Sequence, residues 1–164
     1  MTKPAHDKIA AGLSDAHAFA QGDETKGRIA ATKPGGLRVL VCGGRTYSDA
    51  RTMFSVLTPL DIAIVIHGGA TGADAIAARY ARANNISVKK YAADWRKYGH
   101  AAGPIRNQRM LDDGKPDLVV AFPGGAGTAD MVRRAMAANI NVVHALTPAG
   151  QAARRAIEER EADE

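Results

Sequence analysis

Short apolar runs at Leu37–Val41, Ile62–Ile66, Ile86–Tyr91, Leu118–Phe122 and Ile140–Ala145 punctuate the chain from residue 37 onward. They are rich in Val and Ile, the composition of parallel strands buried on both faces. Between them, helical spacing holds over residues 48–58, 72–84, 101–113 and 128–138, and a further helical stretch follows Pro148. Ile76, Ala77, Tyr80 and Ala81 give the second stretch an apolar face, as Val132, Ala135 and Met136 do for the fourth. This alternation predicts right-handed βαβ units in a Rossmann-like α/β domain, a parallel sheet with helices on both faces.

Residues 1–36 lack the alternation and end in Lys33-Pro34-Gly35-Gly36, the punctuation of a linker. Ile9, Leu13, Ala16 and Ala20 stand at helical spacing, so a short helix within a mobile N-terminal extension is expected. The domain is expected over residues 37–150, and residues 151–164 read as a charged helix or tail.

At 164 residues and 46% apolar composition the chain can bury one core, which excludes disorder throughout. Its single cysteine, Cys42, excludes a disulfide within one chain and suits a reducing cytoplasm. No apolar run approaches the ~20 residues of a membrane span, and Asp7, Asp15, Asp23 and Glu24 replace the apolar stretch of a secretory signal. A cytoplasmic protein without membrane contact is expected. The net charge of +5 is unevenly placed: fourteen Lys/Arg face eight acids over residues 37–150, against five and four before and three and five after. The excess in the domain points to an anionic ligand, or is simply a soluble surface.

Three strands run into glycine-rich turns: Cys42-Gly43-Gly44-Arg45-Thr46, His67-Gly68-Gly69-Ala70-Thr71-Gly72-Ala73-Asp74 and Pro123-Gly124-Gly125-Ala126-Gly127-Thr128. In a parallel sheet these carboxyl ends share one edge, where backbone N–H groups and helix N-termini can hold a phosphate. Neither GxGxxG nor GxxxxGK[ST] occurs, so a dinucleotide fingerprint and P-loop hydrolysis are unsupported. Arg106 and Arg109, three apart near the start of the third helix, are expected on one face to clamp a phosphate or carboxylate, or to form a solvated basic face; Asn107 and Gln108 add hydrogen-bonding capacity. Thr71 and Asp74 have capping-box spacing, so Asp74 is either a structural cap or a ribose or acid/base group. Asp130 follows an expected Thr128 N-cap and either complements the helix dipole or serves chemistry. Trp95 either stacks on a base or packs its loop. His67, His100 and Cys42 lack metal-ligand spacing, so neither a metal nor a resident cofactor is expected, and Cys42 reads as a small buried residue.

The stretches RVLVCGGRTY, IHGGATGADAIAARYA, ADWRKYGHAAGPIRNQRM and DLVVAFPGGAGTADMVRRA, in this order, resemble the SLOG superfamily, most closely its YspA-related branch. The resemblance implies a Rossmann-like fold that binds a nucleotide or nucleotide-derived ligand, NAD- or ADP-ribose-like, often in bacterial stress, defence or mobile-element settings, and a homodimer. The related Lonely Guy phosphoribohydrolases cleave the N-glycosidic bond of nucleoside 5′-monophosphates with an arginine and the glutamate of PGGxGTxxE. Pro123 to Thr128 match that motif, Met131 stands at the glutamate position, and Asp130 is displaced by one residue. Arg106 is the first candidate for the arginine and Arg109 the second. TGADAIAA is similar to a segment of DprA, which binds single-stranded DNA, but no interleaved aromatic and basic array accompanies it. The reading that follows is a nucleotide binder using Gly43, Gly44, Arg45, Thr46, Gly68, Gly69, Gly72, Asp74, Trp95, Arg106, Asn107, Arg109, Pro123, Gly124, Gly125, Gly127 and Thr128. The alternatives are an N-glycosidic hydrolase acting through Arg106, Asp130 and Asp74, and a single-stranded nucleic-acid binder, with nucleic acid the less expected partner.

Overall fold

A computed structural model describes residues 34–146, so the expected N-terminal extension, the helix after Pro148 and the acidic tail lie outside the described residues. The elements, in chain order, are β1 (Leu37–Cys42), α1 (Ala50–Leu57), β2 (Ile62–His67), α2 (Ala73–Ala83), β3 (Ser87–Lys90), α3 (Trp95–Tyr98), a 3₁₀ turn (Gly99–Ala101), α4 (Ala102–Asp112), β4 (Leu118–Ala121), α5 (Ala126–Ala137) and β5 (Asn141–His144). All five strands are parallel, in the order β3-β2-β1-β4-β5.

Alternation along β1 explains the two layers of helices. Leu37, Val39 and Val41 face one side and pack with Met53, Val56 and Leu57 of α1 and Ala77, Tyr80 and Ala81 of α2. Leu40 and Cys42 face the other, against Met110 and Leu111 of α4 and Met131 and Ala135 of α5. β1 pairs with β2 on one side and β4 on the other, so the chain reverses its direction of winding at the centre of the sheet. At such a switch point the loops after the two central strands part and leave a crevice.

The expected Ile86–Tyr91 strand shortens to Ser87–Lys90 and is not buried: all four residues are exposed, Val88 at 42%. Among the described residues β3 is a sheet edge paired with β2 alone, and Lys89 and Lys90 are the charges that keep such an edge from recruiting another strand. Two expected helix starts also move. The α2 N-cap is Gly72, with no side-chain cap, so the Thr71–Asp74 capping box does not form. Likewise α5 begins at Ala126 after Gly125, two residues ahead of the expected Thr128 cap. In both places a glycine is the N-cap, and at Gly72 close backbone contact leaves no room for a side chain, whereas the space beside Gly125 is open. A Cβ on Gly72, whose φ is +70°, would lie 2.2 Å from the Gly44 carbonyl oxygen.

Candidate functional site

The loops after β1, β2 and β4 are stitched to one another by their own backbones. Gly44 N–H donates to the Pro123 carbonyl at 2.9 Å, and Ala73 N–H donates to the Gly44 carbonyl at 3.1 Å. The Thr71 hydroxyl donates to the Arg45 carbonyl at 3.1 Å. Within the second loop, Gly69 N–H is taken by His67 Nδ1 and Ala70 N–H by Asp74 Oδ2, each at 3.0 Å. The amides of Gly44, Gly69 and Ala70 are therefore spent internally. Those at the start of α5, Ala126 and Gly127, stand in a first turn that has no intrahelical acceptors.

Above these loops lies a cleft of about 680 Å³, within the range of small-molecule sites. It brings together Gly43, Gly44, Arg45, Gly68, Asp74, Trp95, Arg106, Asn107, Gly125, Gly127, Thr128 and Asp130. Gly69 lines a smaller adjoining compartment with Thr71. Pro123 and Gly124 line an apolar groove on the far side of the third loop, which Thr128 borders as well. Thr46 is exposed outside the cleft, and Gly72 serves loop packing.

Arg106 and Arg109 do not act as a pair. The Arg106 guanidinium lies over Gly68 and is fixed by Nη1 donating to the Gly68 carbonyl at 2.8 Å and Nε donating to Asn107 Oδ1 at 3.0 Å. Three N–H groups of its five remain for a ligand. Burial pulls its pKa down, against the pull of nearby Asp74. Arg109 sits about 4.5 Å further along α4, outside the cleft lining, with its guanidinium over Tyr91 and Nε 3.8 Å from Asp113. A shared helical face does not bring both arginines to the edge where α4 begins.

The two candidate carboxylates differ sharply. Asp130 is buried and fully engaged: Oδ2 accepts from Asn107 Nδ2 at 3.0 Å and from Arg134 Nε at 2.8 Å, and Oδ1 accepts from Arg133. Burial pushes its pKa up, but the bonds from Arg134 and Asn107 and the charges of both arginines outweigh this and leave it below the usual carboxylate value. Asn107 also donates to the Gly127 carbonyl at 3.1 Å, so the chain Arg106–Asn107–Asp130 ties α4 to α5. Asp74, 6% exposed, uses Oδ2 to hold Ala70 and keeps Oδ1 without a hydrogen-bond partner among the described residues. Met131, at the position of the Lonely Guy glutamate, is fully buried in the core and does not face the cleft.

Trp95 opens α3 behind its N-cap Asp94 and is 48% exposed, so it packs no core. The Arg45 guanidinium stands over its ring, 5.4 Å from the centroid, and Gly103 leaves space for the indole. Cys42 lies at the cleft floor, its thiol pushed up to about 12 by burial and the charge of Asp74. Sequence reasoning missed Arg133 and His100 as cleft residues. Arg133 stands three residues after Asp130, a spacing from which the ion pair could have been read. Among the described residues no group of three or more His, Cys, Asp or Glu is placed to hold a metal, and no helix is long and apolar enough to cross a membrane.

A parallel β3-β2-β1-β4-β5 sheet with a glycine- and arginine-lined cleft at its switch point defines a Rossmann-like α/β protein. More narrowly, the chain belongs to the YspA, cpYpsA-related SLOG family, whose model matches residues 37–98. It is 37% identical over 120 residues to the Gene 61 protein of Mycobacterium phage D29, an alignment covering 65% of this chain and 94% of that protein. No solved structure gives a significant match.

Proposed function

We propose that the cleft binds a nucleotide or nucleotide-derived ligand, of the kind represented by AMP, NAD or ADP-ribose, and does so without cleaving it. The observation that carries this reading is that buried Asp74, whose Oδ1 has no hydrogen-bond partner among the described residues, lines the same cleft as Arg45, Arg106 and the first turn of α5. An ionised carboxylate accepts hydrogen bonds and donates none, so its partner on a ligand is a hydroxyl or N–H group. Guanidinium groups and a helix N-terminus select an anion. A sugar phosphate carries both, and Trp95 at the rim offers a half-exposed ring for a base.

Binding without turnover is favoured because Asp130 has both oxygens in ion pairs and a lowered pKa, which makes it a weak base. Asp74 alone could serve N-glycosidic hydrolysis. Titration of the protein with AMP, NAD and ADP-ribose by calorimetry, with base release followed by chromatography, separates the readings. Saturable binding without released base, weakened at least tenfold by Asp74→Asn, supports the binder. Released base that Asp74→Asn abolishes supports the hydrolase, and no saturation by any of the three overturns both.

A further inference from the structure

Beyond the Arg45–Trp95 pair the cleft continues into a second compartment of about 300 Å³, bounded by the Gly68–Thr71 loop, Ala92 and Ala93. It shares Arg45, Gly68, Ala70, Trp95 and Arg106 with the main cleft, so the two spaces meet along these residues. Their charge differs. In the main cleft Asp130 offsets Arg133 and Arg134, and Asp74 stands near Arg106. The smaller compartment has two arginines in its lining and no acid. Arg45 and Arg106 both line this space, and the charge of Arg45 adds to burial in pulling the Arg106 pKa down. An anion between them would relieve that repulsion.

Size points the same way. The larger space suits a nucleoside with its first phosphate, whereas about 300 Å³ is at the small end of ligand sites. The Gly69 and Ala70 amides are already spent on His67 and Asp74, and the two guanidinium groups are the charged donors in the lining. Arg106 is held rigidly by Gly68 and Asn107 while keeping unused N–H donors. Ala92 and Ala93 add only small side chains to the lining.

We infer that this compartment is a second phosphoryl subsite, so that the ligand is a nucleotide whose phosphate chain continues past its first phosphoryl group, a nucleoside diphosphate or an ester of one. The inference rests on the nucleotide reading of the main cleft. Occupancy of the subsite draws Arg45 off the Trp95 ring, which makes the chain's single tryptophan its reporter.

The test compares AMP with ADP, without divalent cations, by Trp95 emission and calorimetry in the wild type, Arg45→Ala and Ala92→Glu. Ala92 is exposed, so the substitution adds a carboxylate to the compartment without disturbing a core. Wild type is expected to bind ADP roughly tenfold or more tightly than AMP. Both variants are expected to abolish that preference, with Ala92→Glu shifting AMP affinity by less than about twofold, since like charge repels only what enters the smaller space. Equal affinity for AMP and ADP in the wild type, or a preference that survives both substitutions, overturns the subsite. Binding of neither nucleotide overturns the reading of the main cleft and the subsite with it.

Discussion

Replacing Asp130 by asparagine separates a structural carboxylate from a reacting one. The substitution keeps the shape of the side chain and one carbonyl acceptor for Asn107, but sets an amide N–H₂ against guanidinium donors. Arg133 is 72% exposed, so its pair with Asp130 contributes little. Arg134, at 29%, and the buried Asn107 bond carry most of the effect. Loss of one charge-assisted bond with partial retention of the other gives about 1–2 kcal/mol of destabilisation. For a domain of this size that is a fall in Tm of roughly 4–10 °C. Asp130→Ala, which also strands an Asn107 proton and the Arg134 guanidinium, costs about 2–4 kcal/mol. Because the folded-state pKa is depressed, this stability is present above the ordinary carboxylate pKa and is lost as pH falls through the lowered folded value. Urea unfolding of wild type and Asp130→Asn should show the full gap at pH 7 and a closing gap below about pH 4. Equal midpoints at pH 7, or a gap that stays constant into acid, would refute the assigned role of Asp130.

Gly72→Ala should destabilise by roughly 2–4 kcal/mol in a urea melt, because a positive φ and a collision with the Gly44 carbonyl act together; a loss below about 0.5 kcal/mol would mean that the loops part freely. Cys42, with its thiol pushed up to about 12, should resist a thiol reagent at pH 8 in the folded protein and react promptly in denaturant; rapid modification of the native state counts against this. Trp95→Ala should change stability by less than about 1 kcal/mol, since the ring is half exposed, while weakening nucleotide binding at least several-fold. Unaltered affinity would return Trp95 to a loop-packing role.

The fold was legible because strand and helix periods differ and the β1, β2 and β4 runs are apolar on both faces. β3 escaped that logic, since an edge position is decided by which strands pair and not by the apolar run itself. The glycine loops marked the sheet edge where the cleft lies, and most of the residues chosen from them line it. What they could not reveal is where each backbone amide points, because that depends on contacts between loops distant in the chain, such as Gly44 with Pro123. The same limit explains the start of α2: Thr71 is a good cap by residue type, yet the approach of the first loop to the second makes glycine the residue that fits at position 72. Arg109 shows that a helical face is a direction, whereas a site at the end of a sheet also requires the right height along the helix.

Binding by an amide-rich loop and binding by arginines have different physical requirements, and this cleft divides them. Loops that offer their N–H groups to a ligand leave those donors to solvent when empty, and they rely on the ligand to order them. Here the first two loops satisfy Gly44, Gly69 and Ala70 within the protein, which holds the crevice open in one geometry before anything binds. Side chains supply the positive charge, and bonds to the Gly68 carbonyl and Asn107 fix Arg106 while leaving three of its five N–H groups unused. Asp130 and Asn107 therefore frame the cleft, while Asp74, Arg45 and Arg106 are the groups to which the proposed function assigns recognition of a ligand.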